Sequence, residues 1–488
     1  MKDRIAVGLI GFGTVGTGVA KVLTSNAGSI RRRLGVPLDL VKVADLNLTA
    51  DRGITLPAGV LTSHAREVIE DPRIDIVIEL IGGYDPAKRF LLDAIAKGKS
   101  VVTANKALLA VHGEELFQAA ARAKVDIGFE ASVGGGIPIV RTLTEGLAAN
   151  RILSLYGIVN GTSNYILTKM TEAGRSFEAV LAEAQKAGYA EADPTFDIAG
   201  TDAAHKLAIL INLAFGTPVN FKDVYVEGIA GIAPMDIAYA TEFGYTIKLL
   251  AIAKLHEGES VTNGGARGPV EDGASWRTGG GPVQTGASEP GAPIALAGAM
   301  GQLGARAPAE LEARVHPTMI ASDAPIARVG GVYNAIQVTG DAVGDIMLYG
   351  RGAGSLPTAS AVVSDVIDMA RNILTGSVGR VPSCAFQMDQ RRPLRIRPID
   401  EVGSLYYLRF MVLDKPGVLS QLSGVLGKHE ISISSVLQRG RKDGQTVPVV
   451  MTTHMAVERK MQAALREIAA FPFVSGQTTL VRIEGEDR

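Results

Sequence analysis

Two charged residues four apart open a segment that is otherwise apolar. In residues 201–216, TDAAHKLAILINLAFG, Asp202 and Lys206 share one face of a predicted helix. Beyond Lys206 the segment is apolar nearly all round, which is the pattern of a helix inside a core. On a solvated helix such a pair is an ordinary surface contact. At the mouth of a buried helix it is a candidate catalytic pair, because charges next to a core are seldom idle. Just upstream, Gly188-Tyr-Ala-Glu191-Ala-Asp-Pro194 is a polar loop that could face the pair. His205 reads as a packed or capping histidine. Lys106, in Thr103-Ala-Asn-Lys106, follows a predicted strand and opens a predicted helix, where a ligand of a parallel sheet would lie. By itself it could equally be a solvated lysine.

A second constellation is glycine-based. Gly11-Phe12-Gly13-Thr14-Val15-Gly16 fits G-x-G-x-x-G between a strand and a helix, the context that gives this spacing meaning. Gly11 permits a tight turn, Gly13 lets a pyrophosphate approach the backbone, and Gly16 lets the helix pack on the strand. The helix N-terminus then favours the phosphate charge. The next strand ends at Asp45, an acid suited to the ribose hydroxyls of NAD. Lys42 and Arg52 stand close enough in sequence to accept the 2′-phosphate of NADP, so the choice between the two nucleotides stays open.

These residues need a scaffold. Across residues 1–130, strand-like runs (4–10, 38–44, 74–80, 100–103 and 125–129) alternate with helical ones, which predicts βαβ units on a parallel sheet. The expected order is an α/β dinucleotide-binding unit at 1–135, completed by about 350–375, where an apolar helix over 358–373 packs back on it. An α+β unit follows at 136–349, with strands over 332–349. Residues 259–309 are rich in Gly, Pro, Ala and Ser and predict a disordered insertion. Their flanks, LLAIAKLHEG and LEARVHPTMI, look like two strands of one hairpin. An Arg- and Pro-rich linker is expected over 376–403. Residues 404–488 then repeat strand, helix, strand, strand, helix, strand, the ferredoxin-like order.

Composition excludes several classes. Hydrophobic residues make up 47 % of the 488, enough for ordinary cores, and the net charge is −1. No basic excess exists to neutralise a polyanion, which argues against a nucleic-acid partner. The single cysteine, Cys384, allows no disulfide framework within the chain and no zinc cluster. That usage suits the cytoplasm. No uninterrupted apolar run approaches the length of a membrane span, and the glycine-broken N-terminus does not read as a signal peptide.

In order along the chain, GFGTVG, TANK, FEASVGGGIPI, GIVNGTSNYIL, GYAEADPTFDIAGTDAAHK and YGRGAGSLPTASAVVSD resemble the blocks of homoserine dehydrogenases. The resemblance covers nearly the whole chain outside 259–309. It implies a Rossmann-type nucleotide domain, an α+β catalytic and dimerisation domain, and NAD(P)-dependent reduction of L-aspartate 4-semialdehyde to L-homoserine. It implies Lys206 as proton donor and Lys106 as a second lysine near the nicotinamide. Gly188, Glu191 and Asp202 fall at substrate positions, and Phe12, Thr14, Val15 and Gly352 at cofactor positions. Glu130, Val133, Gly135 and Ile137 fall where the family holds a monovalent cation, often sodium, mainly by backbone oxygens. The last unit resembles an ACT domain, with Asp414 and Gly417 of DKPGVL at an amino-acid site. The implied effector is a pathway product such as L-threonine, and the implied assembly a homodimer or homotetramer. Other readings are another amino-acid semialdehyde or hydroxy-acid dehydrogenase, and a non-catalytic amino-acid sensor. The first should lack the combined GYAEADPT and GTDAAHK blocks; the second has no need of both lysines.

Overall fold

The computed structural model describes residues 2–257, 309–439 and 444–485. The expected disordered insertion lies, but for Ala309, outside the described residues. The first sheet holds β1 (Ile5–Ile10), β2 (Leu38–Ala44), β3 (Leu61–Thr62), β4 (Ile76–Glu79), β5 (Ser100–Thr103) and β6 (Ile127–Gly128), in the order β3-β2-β1-β4-β5-β6. Every pairing is parallel. β1, β4 and β5 are buried throughout, as strands covered on both faces must be. The order reverses between β1 and β4, so the glycine turn after β1 opens onto the crevice where such sheets bind ligands.

Two features differ from the sequence reading of this half. The helix expected to run on to about residue 33 breaks at Asn26 into helices Thr14–Ser25 and Ala27–Leu34. A two-residue strand, β3, and helix Ala65–Glu70 were not anticipated, being too short to show a period. Helix Ser355–Thr375 does return to this unit, with Ser355 Oγ donating to the Thr14 carbonyl at 2.7 Å. A Cβ on Gly18 would lie 3.1 Å from that of Ala359, so the two helices cross at close range.

The second sheet holds β7 (Ile152–Ile158), β8 (Tyr225–Val226), β9 (Tyr245–His256), β10 (Glu310–Ala321), β11 (Tyr333–Gly340), β12 (Gly344–Arg351), β13 (Arg395–Ile396), β14 (Gly403–Leu413), β15 (Ile433–Gln438), β16 (Thr446–Thr453), β17 (Ala456–Val457) and β18 (Thr479–Glu484). Its main path runs β12-β11-β7-β9-β10-β18-β14-β16-β15. β9 and β10 pair without a break from Tyr245↔Ala321 to His256↔Glu310, as the flanking hairpin pattern predicted. With helices Val418–Lys428 and Glu458–Ala469, the C-terminal strands complete the ferredoxin-like order.

This C-terminal unit is not tethered at a distance. β18 pairs with β10 in parallel through Thr318↔Arg482, Met319↔Ile483 and Ile320↔Glu484, so one sheet runs through both units. β10 explains why the seam is stable. Leu311, Ala313, Val315 and Met319 point into the main core, while Glu312, Arg314, His316 and Thr318 are buried on the opposite side. Those polar groups are paired: Arg314 with Glu312 at 3.0 Å and Glu484 at 2.5 Å, and Lys254 with Glu484 at 2.6 Å. The stretch read as a linker is also docked. Arg391 reaches Glu114 at 2.6 Å and Asn212 at 2.9 Å, Leu394 N donates to Thr217 Oγ1, and β13 pairs with β10.

Lys248 on β9 is buried, donating to the Val329 carbonyl at 2.7 Å and to Asn164 Oδ1 at 3.2 Å. Burial lowers its pKa to about 8. Between pH 8 and the ordinary lysine value the unfolded chain holds a proton that the folded chain has lost, so stability rises with pH in that window. Urea unfolding of wild type and Lys248→Met should therefore show the difference moving in favour of wild type between pH 7.5 and 10, by up to about 3 kcal/mol. Parallel pH profiles would show that Lys248 keeps its ordinary titration.

Candidate active site

Asp202 is the meeting point of two lysines from different parts of the fold. Its carboxylate lies 2.6 Å from Lys106 Nζ through Oδ1 and 2.7 Å from Lys206 Nζ through Oδ2. Lys106 is the first residue of helix Lys106–Ala123, just past the carboxyl end of β5. Asp202 and Lys206 lie one turn apart on helix Thr201–Phe215, which is buried along most of its length. Lys206 also donates to the Val159 carbonyl at 2.6 Å. Burial draws the Lys206 ammonium below the ordinary lysine range, against the pull of Asp202. The two ammoniums hold the Asp202 carboxyl well below the usual carboxylate range although burial opposes them.

Around this triad lies a shell that sequence reasoning did not pick out. Asn160 Nδ2 donates to Asp202 Oδ2 at 2.9 Å and to Asp197 Oδ1 at 2.8 Å. Thr162 Oγ1 donates to Asp197 Oδ2 at 2.9 Å. Asn160 also caps helix Gly161–Ala173, its Oδ1 accepting from Ser163 N. The Asn-Gly-Thr-Ser sequence before a helical run carried that capping signal. His205 packs between Phe196 and Phe221, at ring-centre distances of 5.4 and 4.5 Å, which is the packed histidine the sequence suggested. Gly188 and Glu191 are exposed on the loop leading into helix Thr195–Ile198. No contact ties Glu191 to Asp202; its carbonyl accepts from Gln185 Nε2.

Lys106 is aimed by a buried network behind it. Asn105 caps its helix through Leu108 N, and Asn105 Nδ2 donates to the Gly83 carbonyl at 2.6 Å. Thr103 Oγ1 accepts from Asn105 N and donates to Glu79 Oε2 at 2.7 Å. Glu79 is fully buried at the end of β4, and burial raises its pKa. The ends of β4 and β5 are thus locked together beneath the lysine.

The glycine turn has the shape the motif requires. Gly11 adopts φ +98°, and a Cβ on Gly16 would overlap the Gly11 carbonyl. A Cβ on Gly13 would meet nothing within 4 Å, so the space above the turn is open. Helix Thr14–Ser25 begins without a side-chain cap or an acid in its first turn, leaving its amides and positive end for an anion. Asp45 sits at the end of β2, but its oxygens are engaged: Oδ2 accepts from Phe12 N at 2.7 Å and Oδ1 pairs with Arg52 at 3.0 Å. Arg52 lies over the Phe12 ring at 4.8 Å and donates to the Phe12 carbonyl. Lys42 turns away to Glu67.

Comparison with known proteins decides the family. The homoserine dehydrogenase family model matches residues 138–367, the homoserine dehydrogenase NAD-binding domain matches 11–130, and the ACT domain matches 406–473. Homoserine dehydrogenases of Neisseria gonorrhoeae and Pseudomonas aeruginosa are each 43 % identical, over 98 % of this chain and 98 % and 99 % of theirs. The crystal structure of a homoserine dehydrogenase from Thiobacillus denitrificans superposes with a TM-score of 0.82 at 43 % identity, covering 99 % of this chain and 98 % of that one. The chain belongs to the homoserine dehydrogenase family. It is an oxidoreductase with a nicotinamide-nucleotide domain of Rossmann type, a catalytic domain and an ACT domain that points to regulation by an amino acid. Among the described residues no helix is long and apolar enough to cross a membrane.

The loop carrying Glu130, Val133, Gly135 and Ile137 meets the return segment at Gly352. A Cβ on Gly135 would stand 2.5 Å from Gly352, and one on Gly352 would overlap the Asn334 amide. The Glu130 carboxylate accepts from Val140 N and Arg141 N at 2.8 and 2.9 Å, so it is turned into the protein. Gly134 and Gly135 are both left-handed, which redirects successive carbonyls in a way side-chain patterns cannot reveal. Among the described residues, Asn334 is buried with neither its Oδ1 nor its Nδ2 hydrogen-bonded. Asp414 and Gly417 line a separate cavity of about 280 Å³ with Val412, Lys415, Leu419 and Gln438, and Gly417 adopts φ +89°.

Proposed function

We propose that the chain interconverts L-homoserine and L-aspartate 4-semialdehyde at the Asp202 site, with Lys206 as the proton donor to the carbonyl oxygen. The observation that carries this is one buried carboxylate bridging two ammoniums from separate helices. Negative charge grows on the carbonyl oxygen as the aldehyde is reduced, and a positioned ammonium stabilises that charge. Burial lowers the Lys206 pKa, which eases proton delivery. Lys106 supplies the second positive charge near the reacting carbon. Both Asp202 oxygens face lysines, so pairing with the substrate's α-ammonium falls first to Glu191, on the Gly188–Pro194 loop. The nicotinamide nucleotide, when bound, supplies or accepts the hydride. The glycine turn from Gly11 to Gly16, with Phe12, Thr14 and Val15, holds it from one side, and Lys106 and Gly352 line the other.

The preferred nucleotide in this reading is NADP. Asp45 is engaged by Phe12 N and Arg52 and is a poor acceptor for a free ribose hydroxyl. Arg52 brings a guanidinium to the same turn; its Nη1 donates to the Ala50 carbonyl and keeps a second N–H for a phosphate. The loop of Glu130, Val133, Gly135 and Ile137 suits a hard monovalent cation such as sodium held by carbonyl oxygens, with the orphaned Asn334 amide close by. We assign the nucleotide domain to 1–135 with 350–375, the catalytic and dimerisation domain to 136–349, and the ACT domain to 404–488. The assembly is a homodimer or homotetramer in the cytoplasm, and the effector at Asp414 and Gly417 is L-threonine.

Three substitutions test these assignments. Lys206→Ala should lower turnover about 10²-fold with folding intact, measured as homoserine-dependent nucleotide reduction; near-normal turnover removes Lys206 from the mechanism. Arg52→Ala should raise KM for NADP about tenfold more than KM for NAD, the scale of one charge-assisted contact. Equal changes for both nucleotides would defeat the NADP assignment. Asp414→Ala should remove inhibition by added L-threonine without changing basal turnover; a variant still inhibited at the same concentration places the effector elsewhere.

A further inference from the structure

The sheet that joins the C-terminal unit to the catalytic unit carries a side-chain link, anchored on a buried arginine, whose other end reaches the active site. Arg482, on β18, is 2 % exposed at its side chain. It pairs with Glu458 through Nε at 2.9 Å and Nη2 at 2.6 Å, which fixes it within the C-terminal unit. Tyr406 steadies Glu458 from β14, donating at 2.8 Å. The remaining nitrogen, Nη1, crosses the seam to Glu227 Oε2 at 2.8 Å. Tyr225 closes the group: its ring lies under the guanidinium at 5.0 Å and its hydroxyl donates to the same Glu227 oxygen at 3.2 Å.

Glu227 follows β8, and its backbone N donates to the Val315 carbonyl of β10 at 2.8 Å. Two residues on, Ile229 N donates to the Ile198 carbonyl at 2.9 Å. Gly228 lies flat on that segment, where a Cβ would be 2.5 Å from the Ile198 oxygen and 2.9 Å from Ala199 Cα. No other residue permits this approach. Ile198 ends helix Thr195–Ile198, whose Asp197 is hydrogen-bonded to Asn160 and Thr162, and Asn160 holds Asp202. The helix has four residues and cannot hold its place by its own hydrogen bonds. Its position depends on what grips it from outside, and the 227–229 segment grips its C-terminal end.

We propose that Glu227 and Arg482 are positioning residues for the dehydrogenase reaction: the C-terminal unit, through this pair, holds the helix that carries Asp197 and with it the substrate end of the active site. The proposal rests on the Asp202 site being the catalytic one. Neither residue is bonded to Lys106, Asp202 or Lys206, so their effect is through the geometry of the substrate end. Coupling of this kind through packed elements is typically modest, a few-fold to about thirtyfold.

The test uses the full chain with Glu227→Gln, Arg482→Lys, Arg482→Met, Asp197→Asn and the double variant Glu227→Gln/Asp197→Asn, each assayed for kcat and for KM of homoserine and of nucleotide. Glu227→Gln keeps the volume and leaves Arg482 paired to Glu458, so the fold survives. Thermal unfolding within a few degrees of wild type verifies this. The expected result is a rise in homoserine KM of about tenfold, an unchanged nucleotide KM, and partial recovery in Arg482→Lys relative to Arg482→Met. The double variant should be no worse than Asp197→Asn alone, because both changes act through one helix. Unchanged homoserine kinetics in Glu227→Gln would overturn the proposal, as would equal losses for both substrates or additive losses in the double variant. If Asp197→Asn itself leaves homoserine kinetics untouched while Lys206→Ala abolishes turnover, the catalytic assignment stands and the link is wrong. If neither variant affects turnover, the assignment of the site fails first.

Discussion

A buried carboxylate between two ammoniums constrains everything around it. Asp202 could not stay ionised at 3 % exposure without charge partners, and the buried Lys206 ammonium leans on Asp202 in turn. Each member makes the others tolerable, and the three come from two separate helices. The fold must therefore bring the start of helix Lys106–Ala123 against the start of helix Thr201–Phe215, one from each sheet. Arg391 joins the same two helices further along, through Glu114 and Asn212. A stretch with the composition of a linker thus helps align the two halves of the site.

The same logic of pairing governs the seam between the catalytic and C-terminal units. β10 carries apolar residues on one side and Glu312, Arg314, His316 and Thr318 on the other, and both sides are buried. Burying such a row would be costly unless every charge met its complement. Glu484 meets Arg314 and Lys254, Arg482 meets Glu458 and Glu227, and burial among these cations pushes His316 well below its ordinary pKa. Further along, Asp236 accepts from Arg409 at 2.6 Å and from Tyr407 at 3.0 Å. Cutting the chain before β14 would leave Asp236 and Glu227 without these partners and β10 without β18. The C-terminal unit is thus built into the catalytic sheet.

At the nucleotide end, a single interaction recasts a familiar signal. An acid at the end of β2 is ordinarily read as a ribose partner. Here Asp45 organises the protein itself, tying the Phe12 amide and Arg52 into the glycine turn. The residue type was visible in the chain, but its partner, 33 positions away in one direction and 7 in the other, was not.

What the amino-acid order alone determined is local or periodic. The parallel sheet, the glycine turn, the β9–β10 hairpin, helix Thr201–Phe215 with Asp202 and Lys206 on one face, and the βαββαβ order of the last unit all follow from spacings within a few turns or strands. Resemblance in long blocks then pointed to the family. Tertiary structure decided what depends on distant partners. It brought Lys106 to Asp202 across 96 residues of chain, put Asn160 and Asp197 into the site, and left Glu191 exposed at its edge. It also docked the 376–403 stretch and fused the two units into one sheet. The physical reason is that secondary structure answers to near neighbours through steric and hydrogen-bond periodicity, whereas a buried charge answers to whichever complementary group the fold delivers, and nothing in its own neighbourhood names that group.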